Sequence, residues 1–120
     1  MTKTLNEADL RQFTGTEQWY RHQIMRNVLY TDGARHVAEA GEAYWLLDEI
    51  ATAQAIGFVA AEEFQVWKLT VNKDDNTADL VCEDGNDNVV TSKKIPFTDF
   101  PLPEITLWYE NNTIMLPSER

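Results

Sequence analysis

Cysteine and histidine supply many catalytic nucleophiles, bases and metal ligands, and this 120-residue chain holds one Cys and two His. A reactive Cys82 would need a base or a helix N-terminus beside it to form the thiolate. The histidines, His22 and His36, precede it by 60 and 46 positions, and Cys82 shares the apolar side of an alternating stretch. We therefore predict a core thiol and no catalytic residue.

Three side chains form the best ligand-type set in the sequence. His22, Asp32 and His36 are the two histidines and one carboxylate that several metalloenzymes use. The 14-residue gap between the histidines matches no compact ligand motif, however. We predict no metal site and no resident cofactor, and we retain the three residues as candidates for a ligand pocket.

Other motifs indicate structure rather than chemistry. The turn at 84–88 lacks the 12-residue register and closing glutamate of a calcium loop. The paired acids Asp48-Glu49 and Glu62-Glu63 are neighbours in sequence, and adjacent positions do not face one another on a helix or strand. No glycine-rich phosphate motif is present.

Two aromatic pairs are candidates for binding. Trp19-Tyr20 and Trp108-Tyr109 each place two large rings on opposite sides of a strand, so we expect one ring of a pair to face solvent or a partner. Trp and Tyr are frequent anchors of protein interfaces. Core or edge packing of the same rings is the structural alternative.

Charge is the most unusual global property of the chain. Twenty acids against ten bases give a formal net charge of −10. Six acids and no Lys or Arg lie between His36 and Trp67, and six more lie between Asp74 and Ser92. This balance opposes direct binding to nucleic acid or to anionic lipid. It is typical either of a solubilising surface or of a protein that imitates a nucleic-acid backbone to occupy a basic partner.

Three segments have helical signals. Asn6 can cap a helix from Glu7 to Phe13, with Asp9 in a capping-box position and Gly15 at the stop. Thr31 or Asp32 can cap a second helix over 34–40. The spacing of apolar residues predicts a third over 42–55, with Tyr44 on its apolar side.

Alternating segments dominate the rest of the chain. A strand over 65–71 places Trp67, Leu69 and Val71 on one face, and further strands are expected near 19–30 and over 78–83, 89–95, 105–109 and 113–116. The sequence therefore predicts a single α+β domain over 1–120, with N-terminal helices packed on one face of an antiparallel β-meander of about four to six strands. An uncovered apolar sheet face would favour a symmetric homodimer.

The chain also lacks an apolar run of the roughly 20 residues that would span a bilayer. Its first residues meet acids where a signal peptide has its apolar stretch, so we expect a cytoplasmic protein without membrane contact.

Several strings resemble a known family. They are Phe13-Thr14-Gly15-Thr16, Tyr20-Arg21-His22, Tyr30-Thr31-Asp32-Gly33, Ala43-Tyr44-Trp45-Leu46-Leu47-Asp48, Phe64-Gln65-Val66-Trp67, Cys82-Glu83-Asp84-Gly85-Asn86, Thr98-Asp99-Phe100-Pro101-Leu102 and Leu116-Pro117-Ser118-Glu119. In this order they are similar to a family of short uncharacterised bacterial proteins, met in cyanobacteria and on plasmids and phages. The resemblance implies a stand-alone protein and supplies no activity, cofactor or catalytic residue.

Two hypotheses of function follow. The first is a non-enzymatic protein-binding module, in its sharpest form an inhibitor of a nucleic-acid-handling complex, with anchors at Trp19, Tyr20, Trp108 and Tyr109. The second is a small enzyme or ligand-binding protein with a pocket near Tyr20, His22, Thr31, Asp32, Arg35 and His36. Convergence of these side chains on one concave site would favour the second.

Overall fold

A seven-stranded sheet organises the residues that the computed structural model describes, which are 5–14 and 18–120 apart from the Asp9 side chain. The helices are α1 (Glu7–Leu10), α2 (Asp32–Ala40), α3 (Tyr44–Ala53) and α4 (Gly57–Ala60), and a 3₁₀ turn spans Pro117–Glu119. The strands are β1 (Trp19–Arg21), β2 (Leu29–Thr31), β3 (Phe64–Asn72), β4 (Thr77–Glu83), β5 (Val89–Ile95), β6 (Glu104–Glu110) and β7 (Thr113–Met115). None of the described helices has both the length and the apolar composition to cross a membrane.

The strand order corrects the predicted meander. The sheet runs β1-β2-β7-β6-β3-β4-β5, and β2 pairs with β7 in parallel while the other neighbours are antiparallel. Successive strands pair antiparallel in β1–β2, in β3-β4-β5 and in β6–β7, but β6 joins the other side of β3. The alpha-plus-beta class is confirmed, whereas the meander of four to six strands fits only in part, since alternation identifies strands but does not specify which strands pair.

The two faces of the sheet differ as the alternation predicts. In β3, Trp67, Leu69 and Val71 are buried while Lys68 and Thr70 are exposed. Helices α2 and α3 contribute Val37, Leu47 and Ile50 to the same core as the buried strand residues. The opposite face is polar: Lys68 pairs with Glu83 at 3.0 Å and Arg120 pairs with Glu110 at 3.1 Å. Ion pairs therefore cover part of the open face, and the homodimer stays a prediction.

Helix limits differ from the sequence prediction in each of the three predicted helices. Helix α2 begins at Asp32 rather than at residue 34. Helix α1 ends at Leu10 rather than Phe13, and the predicted roles of Gly15 and of the Asp9 side chain lie outside the described residues. Helix α3 begins at Tyr44 because Glu42 adopts a left-handed backbone with φ 51°, which separates α2 from α3. Tyr44 is 43% exposed, so its predicted place on the apolar side is wrong.

A buried amide pair connects the helices to the sheet. Gln65 is fully buried in β3, and its side-chain Nε2 donates to the carbonyl of Val59 at 2.9 Å. Gln54 and Gln65 exchange reciprocal amide hydrogen bonds of 2.8 and 2.9 Å, and Trp67 Nε1 donates to Gln65 Oε1. Because buried polar groups are costly when unsatisfied, this network fixes the end of α3 and α4 over β3.

The C-terminal turn is fastened to the start of α2 by a buried carboxylate. Glu119 is 8% exposed and accepts hydrogen bonds from Thr31 Oγ1 at 2.6 Å, Gly33 N at 3.0 Å and Leu116 N at 2.9 Å. Thr31 also caps the helix by accepting from Ala34 N. The first N–H groups of a helix have no partner within it, and the helix dipole favours negative charge there.

Gly33 gives a direct test of this attachment. A Cβ at position 33 would lie 2.3 Å from Glu119 Oε1 and 2.6 Å from Leu116 Cδ1, so we expect Gly33→Ala to lower the free energy of unfolding by about 1–3 kcal/mol. In the control Gly57→Ala, at the start of α4, the new methyl group meets nothing within 4 Å, and we expect a change of at most about 1 kcal/mol. Urea unfolding of both variants measures the difference, and equal effects would contradict the attachment.

Candidate functional site

A network of tyrosine, arginine and glutamate side chains covers the surface formed by β1, α2 and α3. Strand β1 supplies Tyr20, and helix α2 supplies Arg35 and Glu39 one turn apart. The Tyr20 hydroxyl accepts from Arg35 Nη1 at 3.0 Å and lies 3.0 Å from Asp32 Oδ1. We call Tyr20, Arg35, Glu39 and Tyr44 the tyrosine network.

The network holds a guanidinium group between a ring and a carboxylate. Arg35 Cζ lies 4.6 Å from the Tyr20 ring centroid, and Arg35 Nε donates to Glu39 Oε1 at 3.0 Å. Tyr44 donates its hydroxyl to the same glutamate oxygen at 3.0 Å. The hydrogen bond with Tyr20, followed by those with Tyr44 and Glu39, raises the pKa of Arg35, so the guanidinium remains charged.

Tyr30 on β2 lies beside this network. Its ring stacks on Tyr20 with centroids 5.6 Å apart. Partial burial raises the pKa of Tyr30, Arg35 opposes this shift, and the negative charges of Glu39 and Asp48 add to it. Tyr30 therefore lies within the electrostatic influence of both the Glu39 carboxylate on α2 and the Asp48 carboxylate on α3.

His22 is a structural residue that positions Asp48. It is 5% exposed, and its Nδ1 lies 3.2 Å from Ile24 N and 3.0 Å from Met25 N, both of which donate to it. The hydrogen-bond pattern assigns the neutral Nε2–H tautomer, which donates to Asp48 Oδ1 at 2.7 Å. Nδ1 is thus hydrogen-bonded to the loop between β1 and β2, and Nε2 is hydrogen-bonded to Asp48 on α3. This leaves no lone pair on the ring for a substrate.

The two histidines line different pockets. His22, Gln23, Ile24, Tyr30, Tyr44, Leu47 and Asp48 line a cavity of about 280 Å³, which we call the His22 pocket. His36 lies with Phe13, Tyr20, Asp32, Arg35 and Glu39 around a separate depression of about 310 Å³, and its ring packs 5.3 Å from that of Phe13. Tyr20, Asp32, Arg35 and His36 are thus brought together, Thr31 is committed to Glu119, and His22 lies apart. No group of three or more potential metal ligands occurs among the described residues.

The aromatic candidates have three different environments. Trp19 is 56% exposed on the edge strand β1. Trp108 is half-buried on the open sheet face, where it packs edge-on against Phe64 under the Arg120 guanidinium. Tyr109 is 6% exposed within the core, and its burial raises the pKa of its hydroxyl. Of these three rings, Trp19 is the one that offers a broad surface to a partner.

Sequence reasoning did not select Tyr30, Tyr44 or Asp48, which surround the His22 pocket. Tyr44 lies at a helical spacing that favours the core, and Asp48 is one of several surface acids. The one available signal was that Tyr44 and Asp48 lie together in one of the strings that carried the family resemblance, as His22 does in an earlier one. Their convergence requires the packing of α3 against the loop after β1.

A family of unknown function, DUF6876, matches residues 4–120, and the chain belongs to that family. No curated protein matches the chain. No solved structure matches it either.

Cys82 provides a test of the core interpretation. Burial, with smaller contributions from Glu62, Glu83 and Asp84, raises the pKa of the Cys82 thiol to about 12. At pH 8 the native thiol should therefore react with iodoacetamide roughly a thousandfold more slowly than in the urea-unfolded chain, because the thiolate is the nucleophile. Mass spectrometry over time gives both rates, and rapid labelling of the native protein would contradict the buried placement.

His22 provides a test of its structural role. We expect His22→Ala to lower the free energy of unfolding by about 2–4 kcal/mol, because it removes three hydrogen bonds and leaves a buried void. Gln23→Ala, at the exposed neighbouring position, should change it by no more than about 0.5 kcal/mol. Urea unfolding compares the variants, and a His22→Ala protein as stable as Gln23→Ala would rule out this role.

Proposed function

We propose that the chain is a non-enzymatic module that binds another protein, and that the partner presents a basic surface. The observation that carries this proposal is the pairing of the chain's own bases. Arg35, Lys68, Lys93, Lys94 and Arg120 each lie 2.7–3.6 Å from a carboxylate on the same chain. Their charges are neutralised locally, so the surplus of acids dominates the field that an approaching protein meets.

The acids are placed where a partner can reach them. Glu119 is the buried carboxylate among the acids whose exposure is described, and the others are half-buried or exposed. A groove of about 510 Å³ at the end of β6 is lined by Glu62, Glu63 and Glu110 together with the amides of Asn27, Gln54, Asn111 and Asn112. Oxygen-rich walls of this kind favour Lys and Arg side chains of a partner.

An exposed apolar patch supplies a contact that charge alone does not. Ile56, Phe58 and Val89 are 43%, 61% and 63% exposed where α4 packs beside β5, and we call these three residues the apolar patch. Ile56 also borders a groove of about 270 Å³ with Trp67 and Leu80 in its lining. Clustered apolar side chains beside a polar rim are typical of protein-binding surfaces.

In its sharper form, the proposal names a nucleic-acid-handling complex as the partner. The acidic surface would occupy the basic channel of such a complex and exclude its nucleic acid, which makes the module an inhibitor. A cytoplasmic location in a bacterium that carries a mobile genetic element would fit this role.

Capture on the immobilised chain, followed by kinetic measurement, tests the proposal. We expect the recovered partner to be basic and its association rate to fall at least about tenfold between low and high salt. Phe58→Ser with Val89→Ser should weaken binding about tenfold or more, whereas Phe97→Ser, a residue 68% exposed outside the apolar patch, should leave it unchanged.

For the inhibitor form, added nucleic acid should compete with the chain for the partner. A recovered partner that is acidic, or an association rate that salt does not change, would refute the electrostatic proposal. Equal weakening by both patch and Phe97 variants would remove the apolar patch from it.

A further inference from the structure

The His22 pocket combines aromatic rings with an accessible carboxylate. Tyr30 and Tyr44 contribute two rings to its lining, and Asp48 contributes the acid. The Asp48 side chain is 57% exposed, so a ligand in the pocket can reach it. Ring faces and a carboxylate together are the features that attract positively charged organic groups.

The carboxylate is held in place by a buried partner. His22 is 5% exposed and donates Nε2–H to Asp48 Oδ1 at 2.7 Å, while Ile24 N and Met25 N fix its other nitrogen. A side chain oriented in this way loses less conformational freedom when a ligand binds. The pocket is thus a built arrangement and not only a group of surface acids.

Among the residues that line the pocket, Asp48 carries the acid. Beyond the lining, Glu39 and Arg35 both act on Tyr30, and these two groups are paired with each other at 3.0 Å. Ile24, which is 76% exposed, adds apolar lining that an alkyl stem can contact.

The neighbouring tyrosine network already shows the same chemistry within the chain. There the Arg35 guanidinium lies 4.6 Å from the Tyr20 ring centroid and contacts Glu39 and the Tyr20 hydroxyl. A ring, a carboxylate and a hydroxyl thus surround the guanidinium of a side chain that the helix already holds in place. The His22 pocket offers an equivalent set with space for an added group.

We propose that the His22 pocket binds an organic cation, either an alkylammonium or a guanidinium group. Asp48 pairs with the charge, Tyr30 and Tyr44 contact it through their rings, and Ile24 contacts the stem. A Lys or Arg side chain of a protein and a free amine share this chemistry. The site goes beyond the proposed function and does not require it, since a small cation can be bound without any protein partner.

Fluorine NMR of the protein labelled with 3-fluorotyrosine tests the site directly, because the chain has four tyrosines. We expect n-butylammonium chloride, at constant ionic strength, to shift the Tyr30 and Tyr44 resonances saturably while Tyr109 in the core does not move. The neutral probe n-butanol should cause no comparable saturable shift. Absence of saturation with n-butylammonium, or equal shifts with n-butanol, would overturn the proposal.

Variants of the pocket separate local charge from net charge. Asp48→Asn keeps an acceptor for His22 and should weaken n-butylammonium binding about tenfold. Asp74→Asn, in the turn between β3 and β4, makes the same change in net charge and should leave binding unchanged. Equal losses in the two variants would show a general charge effect and contradict the site.

A second pair of variants tests the ring itself. Tyr44→Phe retains the ring and should bind within about twofold of the parent, whereas Tyr44→Leu should bind about fivefold more weakly. Fluorine spectra of Tyr109 and urea unfolding confirm that each variant is folded. Equal binding by the Phe and Leu variants would remove the aromatic part of the proposal.

Two further probes distinguish the source of the cation. An acetylated, amidated peptide with a single lysine that binds more tightly than n-butylammonium would assign the pocket to a protein side chain. The reverse order would assign it to a free amine, and both outcomes support the cation site. If neither n-butylammonium nor the lysine peptide binds to the pocket and the partner capture still succeeds, the cation site fails while the proposed function stands.

Discussion

One buried carboxylate sets the arrangement of the strands and helix that carry the candidate site. Glu119 accepts hydrogen bonds from the N–H of Gly33 at the start of α2, from the Thr31 hydroxyl that caps α2, and from the N–H of Leu116 just before its own 3₁₀ turn. The parallel pair β2–β7 brings the C-terminal segment to this helix end, and a glycine at position 33 leaves room for the contact. A buried charge is stable only when it is fully hydrogen-bonded, so these elements must pack together or lose the whole set.

The position of α2 in turn decides which side chains meet on the surface. Arg35 and Glu39 project from α2 toward Tyr20 on β1, and the Tyr44 hydroxyl at the start of α3 reaches Glu39. The left-handed residue Glu42 separates the two helices and releases Tyr44 from the core. The tyrosine network and the His22 pocket are therefore consequences of how the helices are joined, and Tyr30 lies between them, stacked on Tyr20 and lining the pocket.

The side chains in the sequence that are best suited to catalysis, His22 and Cys82, have structural roles in the fold. Both ring nitrogens of His22 form hydrogen bonds, one with the loop after β1 and the other with Asp48. Cys82 is buried in β4, and the pKa of its thiol is raised to about 12. What the surface offers instead is recognition: unneutralised acids, an apolar patch and a pocket with rings and a carboxylate. These features suit binding, since each presents an interaction that another molecule can complete.

The sequence alone determined the class of the fold and the alternating faces of β3 and β4, and it limited the cap of α2 to Thr31 or Asp32, because these depend on local periodicity and on single side chains. It also determined the acidic balance, which is a sum over composition. The strand order, the parallel pairing of β2 with β7 and the burial of Glu119 were decided only by tertiary structure. The His22 pocket belongs to the same group, since Tyr30, Tyr44 and Asp48 come from separate elements. Contacts between such distant residues follow from packing of the whole chain, and no local pattern records them.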